Sequence, residues 1–252
     1  MRMQLVSWPE VDAYLKQSTA IIMPIGSTEQ HGPNGLIGTD ALTAEMIAWK
    51  LGEDLGVMVA PTIAVGMAQH HLGFPGSMTL RPSTLIAVIQ DMVNSLARHG
   101  FERFFFINGH GGNVATVTAA FSEIYAETSL QTAASNRPPL RCVLRNWYMG
   151  RRVGEISKEV FGDDEGSHAT PSEVALTYYG YPEVGERLSK VPLDPPRAPD
   201  GDIYDADDYR RQFPDGRIGS NPSGATAEIG ARILKAATAD MIDDYRAFVA
   251  ST

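Results

Sequence analysis

Residues 19–25, TAIIMPI, carry no charge and one hydroxyl. So short an apolar run, followed directly by glycine, reads as a buried strand. The strand gives way at once to GSTEQHGPNGLIGTD, residues 26–40, in which Glu29, His31 and Asp40 stand among four glycines. Whatever this chain folds into must place two carboxylates and an imidazole at the mouth of a buried strand. Such groups are not left in an apolar setting without a partner.

The rest of the chain alternates in the same way. SWPEVDAYLKQ reads as a short helix with Ser7 as its cap. DALTAEMIAWKLGEDLG has apolar residues at helical spacing and a stop at Gly56. VMVAPTIAVG is a second apolar run, with Pro61 marking a strand end or edge. QHHLGFPGSMTLRPSTL is loop-rich. STLIAVIQDMVNSLARHG is a helix that Ser83 can cap and that His99 and Gly100 close. FERFFFINGHGGN runs a strand into a glycine-rich turn, VATVTAAFSEIYAETS is helical, and PLRCVLRNWYMG is a further strand. This order predicts an α/β fold with a mainly parallel sheet covered by helices on both faces. Residues 186–224 are rich in Pro, Asp and Gly and read as a long surface excursion, with reach toward a neighbouring subunit. ATAEIGARILKAATADMIDDYRAFVA closes the chain as a long helix. Ligands of parallel sheets bind beyond the carboxyl ends of the strands, where both glycine-rich motifs lie.

Composition narrows the class. The 252 residues suit one domain, taken here as residues 1–252. A net charge of -9 excludes the basic face that a nucleic-acid binder needs. Bound divalent cations would offset several of the carboxylates. The single cysteine, Cys142, permits no internal disulfide and suits a reducing cytoplasm. Its flanks, LRCVLRN, predict a buried small hydrophobe. The first fifteen residues have acidic side chains and no long apolar stretch, so they read as neither a signal peptide nor a membrane span.

Three stretches carry chemistry. Glu29 and His31, two apart on an extended segment, point the same way. Carboxylate and imidazole together suit Zn²⁺, Mn²⁺ or Fe²⁺. Asp40, just before a helix, reads as a ligand or as an N-cap. In INGHGGN, residues 107–113, the glycines let the backbone bend and a ligand approach. That turn reads as a phosphate cradle or as the setting of a metal-binding His110, and the absence of Lys and Arg from it favours the metal. In DDEGSHATPSEVAL, residues 163–176, Glu173 opens a helical run and reads as a dipole partner or a ligand. Taken together, Glu29, His31, Asp40, His110 and Glu173 make a first shell for two metals with one bridging carboxylate, which leaves Glu165 and His168 for proton transfer. Of the remaining histidines, one of His70 and His71 is expected at the pocket, and His99 at a helix end on the surface.

GSTEQHGP with its following GTD, then HHLGFPGSMTL, INGHGGN, GSHATPSE and SNPSGATAEIG, in that order, resemble the creatininase family. The resemblance spans residues from about 20 to 230. It implies a three-layer α/β/α fold, two divalent metals (Zn²⁺ first, with Mn²⁺ or Fe²⁺ also accepted), a homohexamer, and hydrolysis of a non-peptide C–N bond in a small amide, often cyclic. Carried over by motif, Glu29, His31, Asp40, His110 and Glu173 are metal ligands with Asp40 bridging. His168 carries the proton to the leaving nitrogen, and Glu165 is its acidic partner. The chain departs from the family pattern at Asn34, where a histidine is usual, and at Thr170, where the family has glycine. Creatinine-hydrolysing members have a tryptophan at the place of Asp164 and an acidic residue where Gly111-Gly112 stands. These departures count against creatinine itself and resemble the wider family, which includes deformylases of pyrimidine intermediates and a peptidase of peptide-cofactor maturation. Three readings follow: a hydrolase of a small cyclic amide such as creatinine, a formamidopyrimidine deformylase, and a non-catalytic scaffold with a structural metal. Structural metal sites favour cysteine-rich sets, which weighs against the scaffold.

Overall fold

The computed structural model describes residues 1–131 and 139–251. Its strands are β1 (Ala20–Ile25), β2 (Met58–Val59), β3 (Arg103–Asn108) and β4 (Arg141–Asn146), all parallel and ordered β2–β1–β3–β4. Its α-helices are α1 (Trp8–Leu15), α2 (Thr39–Leu55), α3 (Pro82–Ala97), α4 (Asn113–Ser129), α5 (Arg151–Val160), α6 (Pro171–Gly180), α7 (Pro182–Leu188), α8 (Ala206–Gln212) and α9 (Ala227–Ala250).

The apolar strands follow from burial on both faces. Successive side chains alternate across the sheet. Ile22, Phe105 and Ile107 turn to one face, where they meet Ile47 and Leu51 of α2, Val153 of α5, Leu176 of α6 and Ile233 and Met241 of α9. Ile21, Met23, Phe104 and Phe106 turn to the other, against Tyr14 of α1, Leu85 and Ile89 of α3 and Val117 and Phe121 of α4. The result is the expected three-layer α/β/α arrangement.

Strand order fixes where a ligand can go. From β1 the chain moves to β2 on one side, then crosses to β3 on the other. The loops leaving β1 and β3 therefore diverge at a topological switch point, which opens a crevice beyond the strand ends. The first turn of α2 packs into that crevice against two glycines. A Cβ on Gly109 would lie 2.2 Å from the carbonyl oxygen of Asp40, and one on Gly26 would lie 2.4 Å from the amide nitrogen of Ala41. Asn113 ties the two loops together, donating from Nδ2 to the carbonyl of Gly26 at 2.9 Å.

Several expectations change. The run VMVAPTIAVG yields a strand of only two residues and two isolated bridges, Val59 to Arg2 and, beyond Pro61, Ile63 to Ile25. Helix α3 starts at Pro82 with Arg81 in the cap position, so Ser83 is inside the helix and caps nothing; proline is pre-shaped for the first helical position. Cys142 lies on the edge strand β4 and is half-buried, with its thiol pushed up to about 12 by burial. Residues 186–224 are not all surface. They hold α8 and the buried Tyr209, Phe213, Arg217 and Ile218. Among the described residues no helix is long and apolar enough to cross a membrane.

Gly109→Ala puts a methyl into the backbone of α2. We expect a loss of about 1–3 kcal/mol, read as a lower urea midpoint, together with weaker metal uptake because Asp40 is carried on the displaced turn. A variant with both quantities unchanged would show that this approach is not what seats Asp40.

Candidate metal centre

Five side chains from four segments converge at the switch point. Glu29 and His31 come from the loop after β1, Asp40 from the first turn of α2, His110 from the loop after β3, and Glu173 from the first turn of α6. All five are buried. One ligand atom each from Glu29, Asp40 and His110 lies within 4.8 Å of the others, and the same holds for His31, Asp40 and Glu173. Asp40 belongs to both groups. Its Oδ2 lies 3.1 Å from Nδ1 of His110, and its Oδ1 lies 3.0 Å from Nε2 of His31.

Asp40 is therefore not the N-cap of α2. The cap position is Gly38, and Asp40 lies inside the helix at its second residue, with its carboxylate turned to the centre. Glu173 does both things the sequence allowed. Its Oε1 accepts from the backbone N–H of Thr170 at 2.6 Å, closing a capping box at the start of α6, while Oε2 faces Nε2 of His31 at 3.7 Å. Thr170, a departure from the family pattern, is the other half of that box. Ala169, just before it, holds a left-handed φ of 54°. That conformation is costly for a residue with a Cβ, and it makes the turn from His168 into α6.

The two ligand-type imidazoles are held from behind. His31 donates from Nδ1 to the carbonyl of Glu29 at 3.1 Å, so Nε2 turns its lone pair to Asp40 and Glu173. His110 donates from Nε2 to the carbonyl of Met67 at 2.9 Å, so Nδ1 turns its lone pair to Glu29 and Asp40. A backbone carbonyl behind a histidine is the usual support of a metal ligand. Lone pairs then face carboxylates at hydrogen-bond distance, an arrangement that demands a cation in between. Both oxygens of Glu29 and Oδ2 of Asp40 are buried with no hydrogen-bond partner among the described residues. An unpartnered buried carboxylate is among the costliest groups in a protein. The donor set fits divalent metals of the zinc, manganese or iron type.

Without metal, protons take the cation's place. Burial pushes the His31 ring down, but Asp40 and Glu173 outweigh it and raise it to about 10. His110 likewise rises well above the ordinary range, because Glu29 and Asp40 outweigh burial.

A cavity of about 310 Å³ opens onto the centre, lined by His168, Glu165, Tyr148 and Gly111 together with Asp40 and Glu173. His168 lies with Nε2 2.8 Å from the carbonyl oxygen of Gln30 and Nδ1 3.9 Å from Oε1 of Glu29. Burial, with His71 and His31 beside it, holds this ring well below the ordinary histidine range. Glu165 lines the same cavity but is not hydrogen-bonded to His168. Its Oε1 accepts from the Ser172 hydroxyl, its Oε2 is buried without a partner, and burial pushes its carboxyl up. The His168–Glu165 pair expected from the sequence is thus replaced by a pairing of His168 with Gln30. Tyr148 is kept protonated, since burial raises it, with Asp40 and Glu173 acting in the same sense. His99 is exposed, as expected, while His70 and His71 are both buried. Asn34 is buried behind the loop, where its carbonyl accepts from the Tyr178 hydroxyl at 2.7 Å, and it does not line the cavity.

Three residues near the centre escaped the sequence reading. Gln30 stands between two conspicuous residues of its own motif. Tyr209 and Arg217 lie in the tract read as surface. Arg217 is fully buried, holding Asp215 and the carbonyls of Pro195, Pro196 and Ser220. Nothing in a Pro-Asp-Gly-rich tract signals a buried arginine.

Comparison with known proteins identifies the family and the fold. A family model described as "Creatininase: Creatinine amidohydrolase" matches residues 4–244. Creatinine amidohydrolase of Pseudomonas putida is 26% identical over 250 residues, covering 96% of this chain and 94% of that protein. The mycofactocin precursor peptide peptidase of Mycolicibacterium smegmatis is 36% identical over 106 residues, 40% of this chain and 42% of the peptidase. The 3-dehydro-scyllo-inosose hydrolase of Thermotoga maritima is 27% identical over 197 residues, 76% of this chain and 60% of that enzyme. Among solved structures, a mutant creatininase of Zn-Zn type superposes with a TM-score of 0.79 at 22% identity, and a creatininase described as Mn with 0.81 at 23%; each match covers 98% of this chain and 97% of the other. At that identity the structures speak for the fold.

The protonated histidines predict a pH dependence. A folded pKa of about 10 for His31, above the unfolded value near 6.5, stabilises the metal-free protein fully below pH ~6.5 and is lost as pH rises toward 10. The denaturation midpoint of chelator-treated protein is expected to fall between pH 7 and pH 10, and that of zinc-loaded protein to fall less. A metal-free midpoint that stays flat or rises over this range contradicts the proton-for-metal arrangement.

Proposed function

The chain belongs to the creatininase family of amidohydrolases, and from that premise we propose that it is a binuclear metal hydrolase cleaving a C–N bond of a small cyclic amide such as creatinine. The observation that carries this reading is the pair of three-residue groups sharing Asp40, with unpartnered carboxylate oxygens and imidazole lone pairs directed at one another. Glu29, Asp40 and His110 would hold one divalent ion and His31, Asp40 and Glu173 the other, Zn²⁺ first and Mn²⁺ or Fe²⁺ also suited. Bound there, the ions would supply a water of lowered pKa and polarise the substrate carbonyl.

The remaining steps belong to the chain. His168 is neutral at pH 7, because burial and neighbouring imidazoles disfavour its charged form. Its Nε2 proton is committed to the Gln30 carbonyl, so Nδ1 accepts the proton of the attacking water and returns it to the leaving nitrogen. Glu165, with a free and buried Oε2, offers a second acceptor to a substrate N–H. The Tyr148 hydroxyl, within 3.6 Å of where a Gly111 side chain would begin, is a donor for the substrate's far side. The cavity has no Lys or Arg in its lining, so the reading favours an uncharged amide over an anionic substrate.

A second reading rests on Gly111-Gly112. Gly111 lines the cavity without a side chain, which suits a longer substrate such as a formamidopyrimidine, while Gly112 packs against the His110 ring. The similarity to mycofactocin peptidases also keeps peptide substrates on the panel. We carry forward one domain over residues 1–252, a cytoplasmic setting and a homohexamer as parts of the same proposal.

The test is metal content followed by substrates. We expect two equivalents per chain, and hydrolysis of creatinine or a related cyclic amide that chelation abolishes. His168→Ala should lower kcat by about 10²–10⁴-fold with metal content unchanged, whereas Glu29→Ala and His110→Ala should lose metal. Turnover of formamides or peptides alone would replace the first reading by the second. Full metal retention in both ligand variants would overturn the assignment of the centre.

A further inference from the structure

Gln30 is buried, and its amide can be oriented without ambiguity. The backbone N–H of Gly32 donates to Oε1 at 2.9 Å, and Nε2 donates to the carbonyl of Gly216 at 2.8 Å. An N–H only donates and a carbonyl only accepts, so oxygen and nitrogen cannot be exchanged. The amide nitrogen has one proton left. Three groups stand near it: Nδ1 of His71 at 2.9 Å, Nε2 of His168 at 3.0 Å and the Tyr209 hydroxyl oxygen at 3.2 Å. His168 is already committed. Its Nε2 is 2.8 Å from the carbonyl oxygen of Gln30 itself, and two lone pairs would repel there, so Nε2 carries the proton. Of the two acceptors that remain, Nδ1 of His71 is nearer than the Tyr209 hydroxyl, and the second amide proton goes there. With Nδ1 accepting that proton, the ring N–H of His71 is at Nε2, and that nitrogen lies 3.0 Å from Oε1 of Glu29. The N–H is off the line to the oxygen, which remains without a hydrogen-bond partner. The contact therefore steers the carboxylate through the dipole of the ring N–H and leaves Oε1 free for a cation.

We propose that Gln30 is a positioning residue of the metal centre: its side-chain amide fixes the tautomer of His71, which faces Glu29, and its own carbonyl fixes the tautomer of His168, which turns Nδ1 into the cavity. One residue thus sets a ring behind a metal ligand and the ring that moves the proton. The amide is anchored from across the chain. Gly216 belongs to the segment after α8, and the Tyr209 hydroxyl donates to the same Gly216 carbonyl at 2.7 Å. This inference rests on the metal reading above, and its test separates the two.

The experiment uses the full chain loaded with zinc. Zinc affinity is measured by competition with a chromogenic chelator, and tautomers by solid-state ¹⁵N spectra of histidine-labelled protein. In the unmodified protein the rings of His71 and His168 should both carry the N–H at Nε2 and a bare Nδ1. Gln30→Leu should leave His168 as it is, since a backbone carbonyl holds it, but give His71 mixed tautomers and weaken zinc binding about 10- to 100-fold. His71→Gln, which keeps an N–H near Glu29, should bind zinc within a few-fold of the original, and His71→Ala should weaken it as Gln30→Leu does. If Gln30→Leu does not fold, the comparison of the two His71 variants decides. The inference is overturned if either ring is protonated at Nδ1 in the unmodified protein, or if Gln30→Leu and His71→Ala keep full zinc affinity. An unmodified protein that takes up no zinc overturns the metal reading instead, and the tautomer spectrum then judges the Gln30 assignment alone.

Discussion

Everything around the strand ends is arranged to bury one carboxylate, that of Asp40, between two imidazoles and two further carboxylates. Three buried carboxylates, two of them, Glu29 and Asp40, with unpartnered oxygens among the described residues, would be untenable in an apolar setting without compensating positive charge. The fold supplies their positions and leaves the compensation to protons or metal. Position comes from backbone. β1 and β3 are adjacent and in register, with Ile25 opposite Asn108, so their loops leave side by side. Gly26 and Gly109 admit the first turn of α2 to van der Waals contact. Carbonyls of Glu29 and Met67 then aim the two rings. These supports are backbone groups at rigid strand ends, which is what precise ligand geometry requires.

The parts legible in the sequence were those whose cause is local. The strands announced themselves by apolar runs, α2 by its spacing and by Gly56, which adopts the left-handed conformation at the helix end, and the centre by histidines and carboxylates in glycine-rich turns. Where local and tertiary demands compete, the sequence was ambiguous. Asp40 and Glu173 each stand where a cap or dipole partner is expected. In Asp40 the site takes the whole carboxylate, and in Glu173 the two oxygens divide the tasks. The parts that could not be read are made by distant pairs. Gln30 meets His168 across 138 positions and Gly216 across 186. Arg217 is buried because its donors find carbonyls of a folded-back segment, and no neighbour in sequence signals those partners. The second apolar run misled for a different reason. Pro61 removes a ladder donor, and pairing stops after Met58 and Val59.

The departures from the family pattern separate by what they touch. Asn34 lies behind the metal-side loop and Thr170 completes the cap of α6, so both bear on support. Gly111-Gly112 and Asp164 stand elsewhere, and Gly111 lines the cavity directly. Support positions can change identity while the ligand atoms stay in place, since a threonine cap holds Glu173 as well as any other device that satisfies the helix start. Wall positions cannot change without altering what fits. This division accords with a chain that is similar at once to a creatinine amidohydrolase, a peptidase and an inosose hydrolase. Chemistry is set by the groups held on the sheet, and substrate by the residues that line the opening above them. In this chain that opening is bare at Gly111 and polar at Glu165 and Tyr148. On the function proposed above, those two side chains are the hydrogen-bonding groups that the opening presents to a substrate.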